Sequence, residues 1–370
     1  MLEACLSGLR VLDLSLFIPG PFATQWLADL GASVIKVESP AGDPLRTMGP
    51  LDADGVTAFY KLANRNKSVV TLDLKSPQGQ HDFTSLLLQA DVLVEGFRPG
   101  VLDRLGFGAA KLAELNPRLI HCALSGYGQT GDFAPSAGHD LTYMALSGGL
   151  WGNGPADRPV MTFPPMADGM GAMAVVVAVL AALVRRDICG KGANLDVSLA
   201  EAALGWMGGT LTIAHRWGDE ARESGLINGG AAYYRIYETA DGEFMAVAPL
   251  EEKFWQIFCT AVGRPDWIAR QADPMPQHDL IAEMTALFKT RSRDAWTALL
   301  RPLDCCCEPV LRPSEALTLP HWQERGLIRI DRDQDQLAEV VLPILLNGRP
   351  VPDRRPLQFM DAAQARGLWA

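Results

Sequence analysis

Strand, helix and strand follow one another between residues 10 and 38, and that order leaves the chain little choice of fold. RVLDLS (10–15) is a run of strand formers, PGP (19–21) interrupts it, and FATQWLADLG (22–31) carries apolar residues at helical spacing. The helix stops at Gly31, as a C-terminal glycine makes it do. SVIKVE (33–38) is then a second apolar strand. Two strands joined through a helix pair in parallel by a right-handed crossover. The alternation continues with a strand at SVVTLDL (68–74), helical periodicity over 78–89, and strands at DVLVEGF (91–97) and RLIHCALSGYG (118–128). Repeated β/α order of this kind predicts an α/β fold with an open, mostly parallel, Rossmann-like sheet.

Two long helical patterns come next. GMGAMAVVVAVLAALVRR (169–186) reads as a helix buried on most sides, and 194–216 opens as a strand and continues as a helix. After about residue 217 the character changes. GGAAYYRIYETADGEFMAVAPL (229–250) predicts a hairpin turning at Asp241-Gly242, because Asp-Gly suits a tight turn between alternating apolar strands. Helical patterns near 251–262 and 279–302 complete a smaller α+β domain over 225–315. The expected organisation is a large domain, 1–200, to which 320–370 returns, a linker helix region at 201–224, and the small domain. The tail from about residue 335 is rich in proline.

Charge and composition exclude several functions. A net charge of −10 over 370 residues argues against a nucleic-acid partner, which calls for a basic domain. Any anionic ligand must instead meet a local cluster of cations. Arg65, Lys67, Lys75, Arg98 and Arg104 each stand close to an end of a predicted strand or in the loop after it, and in open parallel sheets such loops gather at the edge where ligands bind. Glu38 closes the second strand where a dinucleotide fold places its ribose-binding acid, but the first turn reads LFIPGP and not GxGxxG, so NAD binding is not expected. The seven cysteines, at 5, 122, 189, 259 and 305–307, show neither a disulfide framework nor zinc-ligand spacing, and the run 305–307 is expected to be reduced and buried. No metal is expected. The N-terminal stretch lacks the pattern of a signal peptide. The longest apolar run, 172–184, is about thirteen residues against the roughly 20 a bilayer span needs, so no membrane span and a cytoplasmic location are expected.

Three acid–base candidates remain. AGHDLTY (137–143) sets one of only six histidines, His139, beside Asp140 at what reads as a helix start. The plain reading has Asp140 capping a helix from Leu141. Asp168, in MADGMGAM, precedes the apolar helix, where an aspartate is either a cap or a carboxylate beside free backbone N–H groups. Glu251, in APLEEKFW, sits where a strand gives way to a helix, and alone would only serve the helix dipole.

The stretches LSGLRVLDLS, PGPFATQWLADLGASVIKVESP, RNKSVVTLDLKSPQG, ADVLVEGFRPGVLDRLG, SGYGQTG and AGHDLTYMALSG, in that order, resemble the family III CoA-transferases, and within them most closely the α-methylacyl-CoA racemases. The resemblance runs from about residue 6 to 330. It implies that His139 and Asp168 are two bases on opposite faces of a substrate α-carbon, with Glu251 hydrogen-bonded to the histidine. It implies CoA contacts for Leu72, Asp73, Leu74 and Lys75, with Gly96, Arg98 and Arg104, and places Gly138, Asp140 and Tyr143 beside the thioester. It also implies an interlocked homodimer, and no cofactor beyond the CoA carried by the acyl-CoA substrate. One departure stands out. Ser39 occupies a position where related sequences often hold CoA with an arginine, so either Lys36 or Arg46 substitutes or the nucleotide end is held differently.

Epimerisation at a thioester α-carbon needs one group protonated while the other is not. Histidine titrates near neutrality, and a partly desolvated aspartate can join it. The rival reading is CoA transfer, in which the same aspartate is a nucleophile forming an anhydride and then an aspartyl-CoA thioester. A third is an acyl-CoA binding protein in which these groups are idle.

Overall fold

Seven strands, all paired in parallel, carry the first of two units in the computed structural model, which describes residues 4–330 and 337–369. The start of the proline-rich tail near 335 and the first three residues lie outside the described residues. The first unit comprises Met1–Ser147, Pro164–Trp206 and Leu317–Ala370. Its elements run β1 (Arg10–Leu14), α1 (Pro19–Asp29), β2 (Ser33–Glu38), α2 (Ala58–Asn64), β3 (Ser68–Thr71), α3 (Pro77–Leu87), β4 (Val92–Glu95), α4 (Val101–Arg104), α5 (Ala109–Leu115), β5 (Ile120–Ser125), α6 (Asp140–Leu146), α7 (Met166–Cys189), β6 (Ala193–Ser198) and α8 (Leu199–Trp206). The sheet order is β3-β2-β1-β4-β5-β6, with Gln358–Met360 added beside β3. Strands covered on both faces read as continuous apolar runs, and Val11, Leu12, Val92, Leu93 and Val94 are fully buried accordingly.

Asp13 breaks the apolar run of β1 and is itself fully buried. Lys67 Nζ lies 3.0 Å from Asp13 Oδ2 and also donates to the Pro21 carbonyl and to Asn64 Oδ1. Thr24 Oγ1 donates to Asp13 Oδ2 at 2.6 Å, and both the N–H and the hydroxyl of Ser15 donate to Oδ1. Against the penalty of full burial, Lys67 and Lys36 with these hydroxyl donors hold the Asp13 carboxyl well below the usual carboxylate range. Burial pushes the Lys67 ammonium down to about 8 even with Asp13 opposing it. Lys67 is therefore an internal brace and not a ligand-facing cation. Arg65 is also buried, with Nε 2.7 Å from Glu339 Oε1, so the expected cation cluster loses two of its five members to structure. Lys67→Met should leave the Asp13 charge buried without its nearest partner and destabilise the fold by roughly 3 kcal/mol or more, read as a lowered thermal midpoint.

α7 is 24 residues long, about 36 Å, because Met166–Gly171 and Arg185–Cys189 extend the apolar run at both ends. By length and composition alone it is long and apolar enough to cross a membrane, being longer than the thirteen-residue run read from the sequence. One side packs on α1, α8, β5 and β6. Val177, Val184 and Ile188 on the remaining surface are 64–84% exposed in the single chain, so the helix is not buried on most sides.

The second unit comprises Gly148–Phe163 and Met207–Ala316. The division departs from the expected one at 148–163, an excursion between the two candidate acid–base residues that groups with this unit. The predicted hairpin is present as antiparallel strands Arg235–Glu238 and Phe244–Val247, with Gly242 at φ +77° in the turn, and Cys307–Pro309 adds a third strand. Trp255, Trp267, Trp296, Phe258 and Phe288 are fully buried and form its core. All seven cysteines are free. Within the run 305–307, Cys305 and Cys307 are buried as expected and Cys306 is exposed. Trp151 and Met161 are 55% and 69% exposed, whereas Met144 is buried.

Candidate active site

Strand order reverses between β1 and β4, so the loops leaving their C-terminal ends diverge and open a crevice. A cavity of about 390 Å³ lies there. Ser15, Leu16 and Phe17 after β1, Gly96, Phe97 and Arg98 after β4, and Leu124–Gly126 at the end of β5 line it. Gly138, His139, Tyr143 and Asp168 complete the wall. The fold thus brings together two candidates 29 positions apart in the chain, through the starts of two helices.

His139 is the N-cap residue of α6, with extended backbone, and the helix begins at Asp140. The Thr142 hydroxyl accepts the His139 N–H at 3.1 Å, which secures the entry to this helix. Asp140 does not cap it. Its Oδ1 instead accepts the N–H of Asp168 at 3.1 Å, so the carboxylate of one helix start satisfies an orphan donor of the other. The expectation of Asp140 as a local cap is corrected by this contact.

Asp168 stands in the first turn of α7, after the N-cap Pro165. The helix dipole favours a charge there. Burial works against it first and the Asp140 carboxylate second; His139 opposes them, and the carboxyl is pushed up from 3.8 to about 6. Such a carboxyl changes protonation near neutral pH. The N–H of Gly169 is directed to the Pro165 carbonyl at 3.4 Å. Asp140→Asn should keep an acceptor for the Asp168 N–H while removing a like charge. The acid limb of the pH–rate profile then moves toward lower pH, checked by rates measured across pH 4.5–8.

Tyr143 packs its ring on two glycines. A Cβ at Gly138 would lie 2.5 Å from the ring and one at Gly126 would lie 2.6 Å from the hydroxyl. The hydroxyl donates to the Gly138 carbonyl at 2.6 Å. Burial, then Asp168, pushes it up to about 12, so it stays a neutral donor. Gly138 is accordingly required by Tyr143.

Leu72, Asp73, Leu74 and Lys75 line a separate, largely apolar cavity of about 230 Å³ with Ser39, Leu16 and Phe97. Asp73 Oδ1 accepts the Lys75 N–H at 3.0 Å and shapes the turn. Arg104 lines neither cavity and lies against Gly100. Neither suggested substitute for an arginine at Ser39 is at liberty. Lys36 is fully buried and paired with Asp43, and Arg46 is bound to Glu38 at 2.7 Å between the rings of Tyr60 and Phe359. Glu251 belongs to the second unit, where it is the exposed N-cap residue of the helix Glu252–Ala261. Sequence reasoning missed Ser15 and Phe17; their place just after β1, at the reversal of strand order, is the signal that finds them.

The chain belongs to CoA-transferase family III, whose model matches residues 6–357. It is 32% identical over 355 residues to the human alpha-methylacyl-CoA racemase, covering 94% of this chain and 88% of that protein. It is also 32% identical over 331 residues to the acetyl-CoA:oxalate CoA-transferase of Acetobacter aceti, covering 87% and 84%. The crystal structure of a CaiB/BaiF family protein from Brucella suis superposes with a TM-score of 0.86 at 29% identity, covering 99% of both chains. The relatives include racemases and CoA-transferases alike, so membership defines an enzyme family and leaves the reaction to the site.

Proposed function

We propose that this protein is an acyl-CoA racemase, moving a proton from one face of the α-carbon of a 2-methylacyl-CoA to the other. The observation that carries the reading is that an imidazole and a carboxyl titrating near 6 line one cavity at the sheet's switch point. A thioester carbonyl conjugates weakly with sulfur, so its α-proton can be removed by groups of this strength. His139 takes the proton, the bonding pair moves onto the carbonyl oxygen as an enolate, and protonated Asp168 returns a proton to the opposite face. The reverse direction exchanges the roles. Arg98 offers positive charge within the same cavity. CoA enters as part of the substrate, and the Leu72–Lys75 cavity suits its nucleotide end.

The active form we propose is a cytoplasmic, interlocked homodimer in which Glu251 orients His139. Exposed apolar residues on α7, with Trp206 at 71% exposure, support an association that covers them. CoA transfer through an Asp168 acyl anhydride is the second reading, supported by the transferase relatives. Incubation with a 2-methylacyl-CoA in D2O tests the choice. Racemisation incorporates deuterium at the α-position with no second acid present. Absence of exchange, with CoA passing to an added carboxylate, defeats the racemase reading.

A further inference from the structure

Phe17 holds its backbone at φ +61°, in the left-handed region that a bulky side chain rarely occupies. Such a conformation persists only where the surroundings over-determine it, and it is a pointer to function. Here the surroundings are explicit. The Phe17 N–H donates to Asp43 Oδ1 at 3.3 Å. Two residues earlier, the Ser15 carbonyl accepts from Lys36 Nζ at 2.7 Å. Lys36 and Asp43 pair at 3.1 Å, and neither side chain is exposed. One dry ion pair therefore grips the loop on both sides of Leu16. Buried pairs of this kind are often no more stabilising than apolar replacements, so their presence asks what they hold in place.

What this one holds is a ring. Phe17 stands edge-on to the His139 imidazole, with centroids 6.3 Å apart and planes at 84°. Among the described residues of the first unit, Phe17 is the one aromatic ring in contact with the imidazole. We propose that Phe17 is a positioning residue for His139, anchored by the buried Lys36–Asp43 pair, which confines the imidazole to the orientation that faces the cavity shared with Asp168. The proposal rests on the reading of His139 as a proton-transfer group.

Phe17→Ala and Phe17→Leu test it, the second keeping apolar bulk without the aromatic edge. In deuterium exchange, Phe17→Ala should lower kcat about tenfold or more with KM within about twofold, since misplacement of a reacting group acts on the chemical step. Phe17→Leu should recover part of that loss. In protein labelled at histidine, NMR should show a cross-relaxation contact between the Phe17 and His139 rings. In Phe17→Ala the His139 signals should broaden or split while the thermal midpoint of Phe17→Leu stays near wild type. Unchanged kcat, a loss confined to KM, or His139 signals indifferent to Phe17→Ala each overturn the proposal. If His139→Ala itself retains full exchange, the proton-transfer reading fails instead, and the NMR contact still reports on the positioning.

Discussion

Asp168→Asn should abolish turnover and, at the same time, make the protein harder to unfold above neutrality. The first effect follows from either reading of the reaction, because the carboxyl is the returning acid in one and the nucleophile in the other. A loss of about 10³-fold or more is expected from removing a positioned acid–base group. The second effect follows from the environment that raises its pKa. In the unfolded chain the carboxyl has its ordinary value of 3.8, and in the fold about 6. Below the unfolded value both states carry the proton and the raised carboxyl contributes its full share of stability. That share is lost as pH rises through the folded value, where an ionised Asp168 sits partly buried beside Asp140. A gap of this size corresponds to about 2–3 kcal/mol at pH 8, and a neutral asparagine avoids it. Thermal midpoints at pH 4, 6 and 8 check the sign: the variant should gain over wild type only at the higher values. A variant that keeps its activity removes Asp168 from the chemistry under both readings. One that gains no stability at pH 8 shows that the carboxyl is not strained as the geometry implies.

The parts of this molecule that were legible in its sequence are those decided by near neighbours. β1, α1 and β2 declared themselves because PGP, Gly31 and the apolar periods all lie within the segment they shape. The hairpin at Asp241-Gly242 did so for the same reason. Contacts made across the sheet were not legible. Asp140 looked like the cap of its own helix, and the partner it serves is 28 positions away at the start of α7. Lys67 and Arg65 followed the pattern of ligand-facing cations, yet Asp13 and Glu339 claim them from within. A periodicity count cannot see a charge compensated by a distant strand. The apolar run inside α7 likewise understated the helix, since glycine and methionine near one end and two arginines near the other do not interrupt helical geometry. His139 and Asp168 were found as a pair through the order of motifs that resemble a family. The shared cavity supplies the physical reason they belong together.

His139→Ala should separate the two reactions that Asp168→Asn leaves joined. A racemase needs a second base across the α-carbon from the carboxyl, and its loss should cut deuterium exchange by about 10²–10⁴-fold. CoA transfer through an Asp168 anhydride has no step that takes a proton from carbon, so the same variant should keep a substantial fraction of any transfer to an added carboxylate. The variant is also a fair structural probe. The histidine contributes its backbone to the start of α6, where its N–H meets the Thr142 hydroxyl and its carbonyl accepts the Thr142 N–H at 2.8 Å, and alanine preserves both. What changes besides the chemistry is the charge near Asp168. When protonated, His139 holds the Asp168 carboxyl down against burial and Asp140, so its removal should move that group's titration upward, away from 6 toward neutrality. A His139→Ala protein that folds, binds acyl-CoA and exchanges the α-proton at the wild-type rate leaves no room for a two-base mechanism at this site.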